Sequence, residues 1–201
     1  LTQISRKLKL PCRALITDMN QPLGYTVGNA LEVAESIEVL KNKKSAGLSS
    51  ADLKEATIQL CAEMLELGGR SRNLAEGRKL ALARLADGSA WKVFCKFVEA
   101  QGGSLKNFVD PRDHSEGLVV QTWKASRRGY ISRMDTETLG RMLISLGGGR
   151  FKAGDSIDHR VGFVFHRKLG TRVQAGDAIA TVYAKRDQPG LSKYEEQFHA
   201  A

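Results

Sequence analysis

Cysteine is scarce in this chain. Its 201 residues include three, Cys12, Cys61 and Cys95, odd in number and without a CxxC pair, which argues against a disulfide framework or a zinc ribbon. All three are expected as small core residues. No apolar run approaches the roughly 18 residues of a membrane span, and Leu1 opens no charged-then-apolar leader, so a cytoplasmic protein without membrane partners is expected. No HExxH, GxSxG, Walker pattern or post-strand GxGxxG occurs. The histidines do not cluster either. His159 and His166 would fall on opposite faces of a continuous strand, and His114 reads as a solvated loop residue. No catalytic or substrate-binding residue is nominated.

What is present is an ordinary globular composition, 42% hydrophobic and 26% charged, with room for one large domain or two small ones. The net charge of +9 is spread evenly, with 16 basic against 12 acidic side chains in residues 1–110 and 15 against 10 in residues 111–201. The densest clusters, Lys41–Lys44 and Arg127–Arg128, carry no interleaved aromatics of the kind that stack on nucleotides. The excess reads as solvated surface, and no nucleic-acid partner is expected.

The first half reads as one strand followed by helices. Ala14–Thr17 is a short apolar run ending at Asp18 and a turn-prone Asn20–Gly24, which suits a buried strand entering a loop. Asn29 with Glu32 predicts a capped helix to about Leu40, with Leu31, Ala34, Ile37 and Leu40 inward. A second helix should start at Ser49 or Ser50 and carry Leu53, Ala56, Leu60, Met64 and Leu67. A third is capped by Asn73 with Glu76, and a fourth runs from Ser89 with Phe94, Phe97 and Val98 inward.

Near residues 103–116 the pattern changes. Leu118–Trp123 and Tyr130–Met134 alternate as two strands joined by a turn at Arg128-Gly129, and Thr136 should cap a helix through Leu139, Met142, Leu143 and Leu146. Ala153-Gly154-Asp155-Ser156-Ile157 recurs as Ala175-Gly176-Asp177-Ala178-Ile179, which suggests a β element with related halves. The clusters Gly68-Gly69, Gly102-Gly103 and Gly147–Gly149 all follow predicted helices, where they act as C-caps. A phosphate cradle needs glycines ahead of a helix.

Thr17-Asp18-Met19-Asn20-Gln21-Pro22-Leu23-Gly24, followed by Gly28-Asn29-Ala30-Leu31-Glu32-Val33, closely resembles a stretch of the thymidine and pyrimidine-nucleoside phosphorylases. Gly129-Tyr130-Ile131, Met134-Asp135, Leu139-Gly140, Leu146–Arg150, Asp158, Val161-Gly162 and Gly170–Ala184 resemble the carboxy-terminal lobe of the same family, in the same order. The details look more like the thymidine branch. The resemblance implies an α+β (α/β) chain: over residues 1–110 a helical remnant of the phosphorylase α/β domain, and over 111–201 the C-terminal domain, an α/β-hammerhead-like lobe. It also implies a homodimeric pentosyltransferase of nucleoside salvage whose partners are thymidine, or another pyrimidine nucleoside, and phosphate.

In that family the phosphate loop and the Arg, Ser and Lys that hold the base lie ahead of the Asp-Met-Asn-Gln motif, whereas this chain has only sixteen residues ahead of Thr17. The isolated chain is therefore expected to be inactive. No cofactor is expected to be required. The resemblance does imply a monovalent cation site for potassium, using the carbonyls of Leu23 and Thr26 and the carboxylate of Glu35; the sequence taken alone reads Glu35 as an ordinary helix-surface carboxylate. A different class is also open, a biotinyl- or lipoyl-like carrier, because Gly170-x-x-Val173-x-x-Gly176-Asp177 resembles the turns of those domains and Lys168 is the nearest lysine. A basic nucleic-acid module is the third reading.

Overall fold

In the computed structural model the chain is described over residues 2–42, 50–186 and 190–200. Along the chain run α1 (Thr2–Lys7), β1 (Thr26–Val27), α2 (Asn29–Leu40), α3 (Ala51–Leu67), α4 (Leu74–Ala86), α5 (Ser89–Ala100), β2 (Leu118–Lys124), β3 (Gly129–Tyr130), α6 (Thr136–Leu143), β4 (Gly162–Phe165), β5 (Arg172–Val173), β6 (Ala178–Lys185) and α7 (Leu191–Ala200). The fold is α+β. Ser49, Lys43 and Lys44, invoked above for a helix start and a basic cluster, lie outside the described residues.

The described residues form two compact units. The first holds residues 2–18, 38–42 and 50–105, and the second residues 19–37, 106–186 and 190–200. The loop motif and most of α2 thus group with the later part of the chain.

In the first unit, α3 and α4 pack closely because Gly77 has no side chain. A Cβ there would meet the Ala62 carbonyl oxygen at 2.9 Å and its Cα at 3.1 Å. Ile58, Ala62, Ala81 and Leu85 are buried around this crossing. The Asn73 side chain accepts from Glu76 N–H at 2.9 Å, as its capping pattern predicts. Three expectations fail. Leu60, Met64 and Phe97 are exposed rather than inward, because the buried stripe of α3 is centred on Ile58 and Ala62 and α5 buries no residue fully. Ala14–Thr17 forms no strand: among the described residues no strand pairs with it, and it runs irregularly with Ile16 fully exposed. Cys12 is exposed, and Cys61 and Cys95 are half-buried.

The second unit is built on a four-stranded antiparallel sheet of order β1-β4-β6-β2. Trp123, Phe163, Phe165, Val182 and Ala184 from the sheet, Leu139, Met142 and Leu146 from α6 and its following turn, and Phe198 from α7 form its core. The expected β2–β3 hairpin is absent: β2 pairs along its length with β6, while β3 is a two-residue strand paired with β5. Pairing across such distances follows tertiary packing, which local alternation cannot specify.

Helix entry also differs in detail. Glu32 Oε1 accepts from Gly28 N–H at 2.9 Å, so Gly28 rather than Asn29 precedes α2, and Asp135 rather than Thr136 caps α6, accepting from Thr138 N–H at 3.0 Å. The internal repeat is structural. Asp155 accepts from Lys152 N–H at 2.9 Å and Asp177 from Gln174 N–H at 3.0 Å, two copies of the same carboxylate-closed turn. Gly69, Gly102 and Gly147 take left-handed conformations after α3, α5 and α6, as C-caps do.

Candidate functional site

The loop Met19–Gly28 leads from an exposed segment into β1 and α2, and four sets of hydrogen bonds hold it within the second unit. Thr136 Oγ1 donates to Met19 O at 2.8 Å. Leu169 N–H donates to Gln21 Oε1 at 3.2 Å. Lys168 Nζ donates to Pro22 O at 2.7 Å and to Gly24 O at 2.6 Å, and stands 5.1 Å from the centroid of the Tyr25 ring.

The fourth set belongs to Glu35. Its carboxylate is buried, with only 3% of the residue exposed. It accepts from Tyr25 N–H at 2.9 and 3.2 Å, from Thr26 N–H at 3.1 Å and from the Thr26 hydroxyl at 2.5 Å. The surface reading of Glu35 is thereby corrected. The signal was available, because residues 31 and 35 are one helical turn apart and Leu31 is fully buried. Burying a carboxylate is tolerable only when donors converge on it, and this loop turns two backbone N–H groups toward it.

The three residues expected around a cation are thus only partly assembled. Thr26 and Glu35 meet, but through Thr26's N–H and hydroxyl. Leu23 has an exposed side chain, and among the described residues no hydrogen bond links it to Glu35. Carbonyl and carboxylate oxygens are the right donors for a hard cation. However, a carboxylate offers about four acceptor positions, and the loop's donors take most of those on Glu35. An ammonium already stands at the carbonyls flanking Leu23. The residues present do not fit a further cation bound beside Lys168. Among the described residues no group of three or more His, Cys, Asp or Glu side chains is arranged to hold a metal ion.

Around the loop, Met19, Asn20, Ser132, Arg133, Asp135 and Leu169 border an open cleft of about 470 Å³ that joins the two motif stretches singled out in the sequence. A smaller cavity of about 220 Å³ lies under Tyr130, Ile131, Met134 and Phe198. Asp158 pairs with Arg160 at 2.9 Å, and that hydrogen-bonded guanidinium holds the carboxyl below its usual range. His166 Nε2 lies 2.8 Å from Thr181 Oγ1, and burial, with Arg167 beside it, lowers its pKa below the ordinary histidine value. His159 instead meets Asn29 Nδ2 at 2.9 Å, so the structure does not unite the histidines.

Two family matches cover the residues that build this arrangement. Residues 130–199 match the pyrimidine nucleoside phosphorylase C-terminal domain, and residues 10–91 match the a/b domain of a glycosyl transferase family. The α+β fold and the two matches place the chain among proteins that carry a glycosyl transferase family a/b domain and a nucleoside phosphorylase C-terminal domain. The chain is 34% identical over 188 residues to the pyrimidine-nucleoside phosphorylase of Geobacillus stearothermophilus, covering 94% of this chain and 42% of the relative. It is 34% identical over 173 residues to that of Staphylococcus aureus strain USA300, covering 86% and 39%. The chain belongs to the pyrimidine-nucleoside phosphorylase family. It spans about two fifths of the length of the curated relatives it matches. No helix among the described residues is long and apolar enough to cross a membrane.

Proposed function

We propose that this chain is the supporting portion of a thymidine phosphorylase of nucleoside salvage, acting in a cytoplasmic homodimer, and that by itself it has no phosphorolytic activity. In the proposed reaction a phosphate oxygen bonds to the anomeric carbon of thymidine as the bond from that carbon to the base breaks. The electron pair of that bond departs with thymine, leaving 2-deoxyribose 1-phosphate. Such a reaction needs donors fixed around the phosphate and around the departing base. The observation that carries the reading is the clamped Met19–Gly28 loop: the most specific family motif is held by side chains of the family's own C-terminal domain, Thr136 and Lys168.

Two facts support inactivity. Residues 10–91 match an a/b domain, yet among the described residues of that span only Thr26–Val27 is a strand. The glycine clusters close helices rather than open them, which leaves no backbone cradle for phosphate there.

The carrier reading loses support at Lys168. A carrier displays its lysine at a hairpin tip, whereas this ammonium is bonded to two carbonyls of another segment.

Incubating the purified chain with thymidine and phosphate should release no thymine; measurable release overturns the inactivity. Joining the chain to the complementary portion of the Geobacillus relative should give an enzyme that cleaves thymidine faster than uridine. A preference for uridine would overturn the thymidine assignment and leave the family untouched.

A further inference from the structure

We propose that Lys168 is the resident cation of the Pro22–Thr26 loop, an internal ammonium that fills the charge role of a bound monovalent ion, so that the loop keeps its shape without potassium. The loop presents its two kinds of backbone group to two opposite charges. Carbonyls of Pro22 and Gly24 converge on Lys168 Nζ at 2.7 and 2.6 Å, and N–H groups of Tyr25 and Thr26 converge on the buried Glu35 carboxylate.

Several observations show that this is a built arrangement. The two carbonyls are separated by one residue and come to a single nitrogen, the geometry by which carbonyl oxygens replace the hydration shell of a cation. The Tyr25 ring adds a π face at 5.1 Å. Gly24 is buried between the charges in a left-handed conformation, φ +69°, and a Cβ on it would collide with the Glu35 carboxylate at 2.5 Å. An ammonium also balances the carboxylate in charge, so an added potassium would leave a net positive charge beside the partly buried Lys168, which is unfavourable. The inference concerns loop stability and does not depend on the substrate or activity proposed above.

The test is thermal unfolding of the full chain in potassium, sodium and choline chloride at matched ionic strength. The wild-type Tm should be the same in all three, because the cation is covalently supplied; a rise in potassium over choline overturns the proposal. Lys168→Met should lower Tm by several degrees and make it cation-dependent, with potassium or sodium restoring part of the loss and choline none. If the variant is destabilised equally in all three salts, the lysine acts by packing alone and the proposal fails. Lys168→Arg keeps the charge and should lose less than Lys168→Met, and equal losses would also overturn it. Should Lys168→Met not fold, the wild-type and Lys168→Arg arms still decide.

Discussion

Gly24 and Glu35 compete for one volume: the position a Cβ would take on Gly24 lies 2.5 Å from Oε1 and 2.7 Å from Oε2 of the carboxylate. The loop motif therefore depends on a residue without a side chain at one place and on a buried charge at the other. Gly24→Ala should cost about 1–3 kcal/mol, from the left-handed backbone and the clash. Glu35→Ala should cost about 2–4 kcal/mol by orphaning two N–H groups and the Thr26 hydroxyl. Because the second change removes the clash in the first, the double variant should lose less than the summed single losses. Urea denaturation of the three variants checks this; strict additivity would contradict the shared volume.

Two helix glycines should respond in opposite directions. Gly77→Ala drives a methyl onto the Ala62 backbone and should destabilise by about 1–3 kcal/mol. Gly140 in α6 has open space around its missing Cβ, so Gly140→Ala should stabilise by roughly 0.5–1 kcal/mol through helix propensity. Shifts in urea midpoint read both.

His166 makes the stability of the protein sensitive to acid. Its folded pKa is lowered by burial and by Arg167, so near and below pH 6.5 the unfolded chain binds the proton more readily. The stability it contributes is full above about pH 6.5 and is lost as pH falls through the lower folded value. A His166→Gln variant should show a flatter stability profile across that interval, measured as Tm against pH.

Phe198 anchors α7 on the core, with its ring centroid 4.9 Å from that of Trp123 and 6.1 Å from that of Phe165. Phe198→Ala should cost about 3–5 kcal/mol and open Trp123 to water. The emission of a Trp91→Phe background would then move to longer wavelength, and an unmoved spectrum would place the anchor elsewhere.

Local chemistry explains what could be read in advance. The Asn73–Glu76 cap, the Ser50 start of α3 and the terminating glycines depend on neighbours three or four residues away, and all three are found. Elements whose partners are distant behaved differently. Ala14–Thr17 has strand composition but no strand to join among the described residues, and Gly129–Tyr130 pairs with Arg172-Val173 rather than with the adjacent Leu118–Lys124. At the loop, Glu35 was nominated through a family resemblance and its burial could have been inferred from Leu31. The role of Lys168 could not, since 144 residues separate it from Gly24 and no local pattern joins them.

Ile16 and Met19 expose their side chains, within a stretch that forms neither helix nor strand. Exposed apolar side chains of this kind favour contact between neighbouring molecules at high concentration. Concentrated stocks should cloud over time, and a charged residue at position 16 should keep them clear.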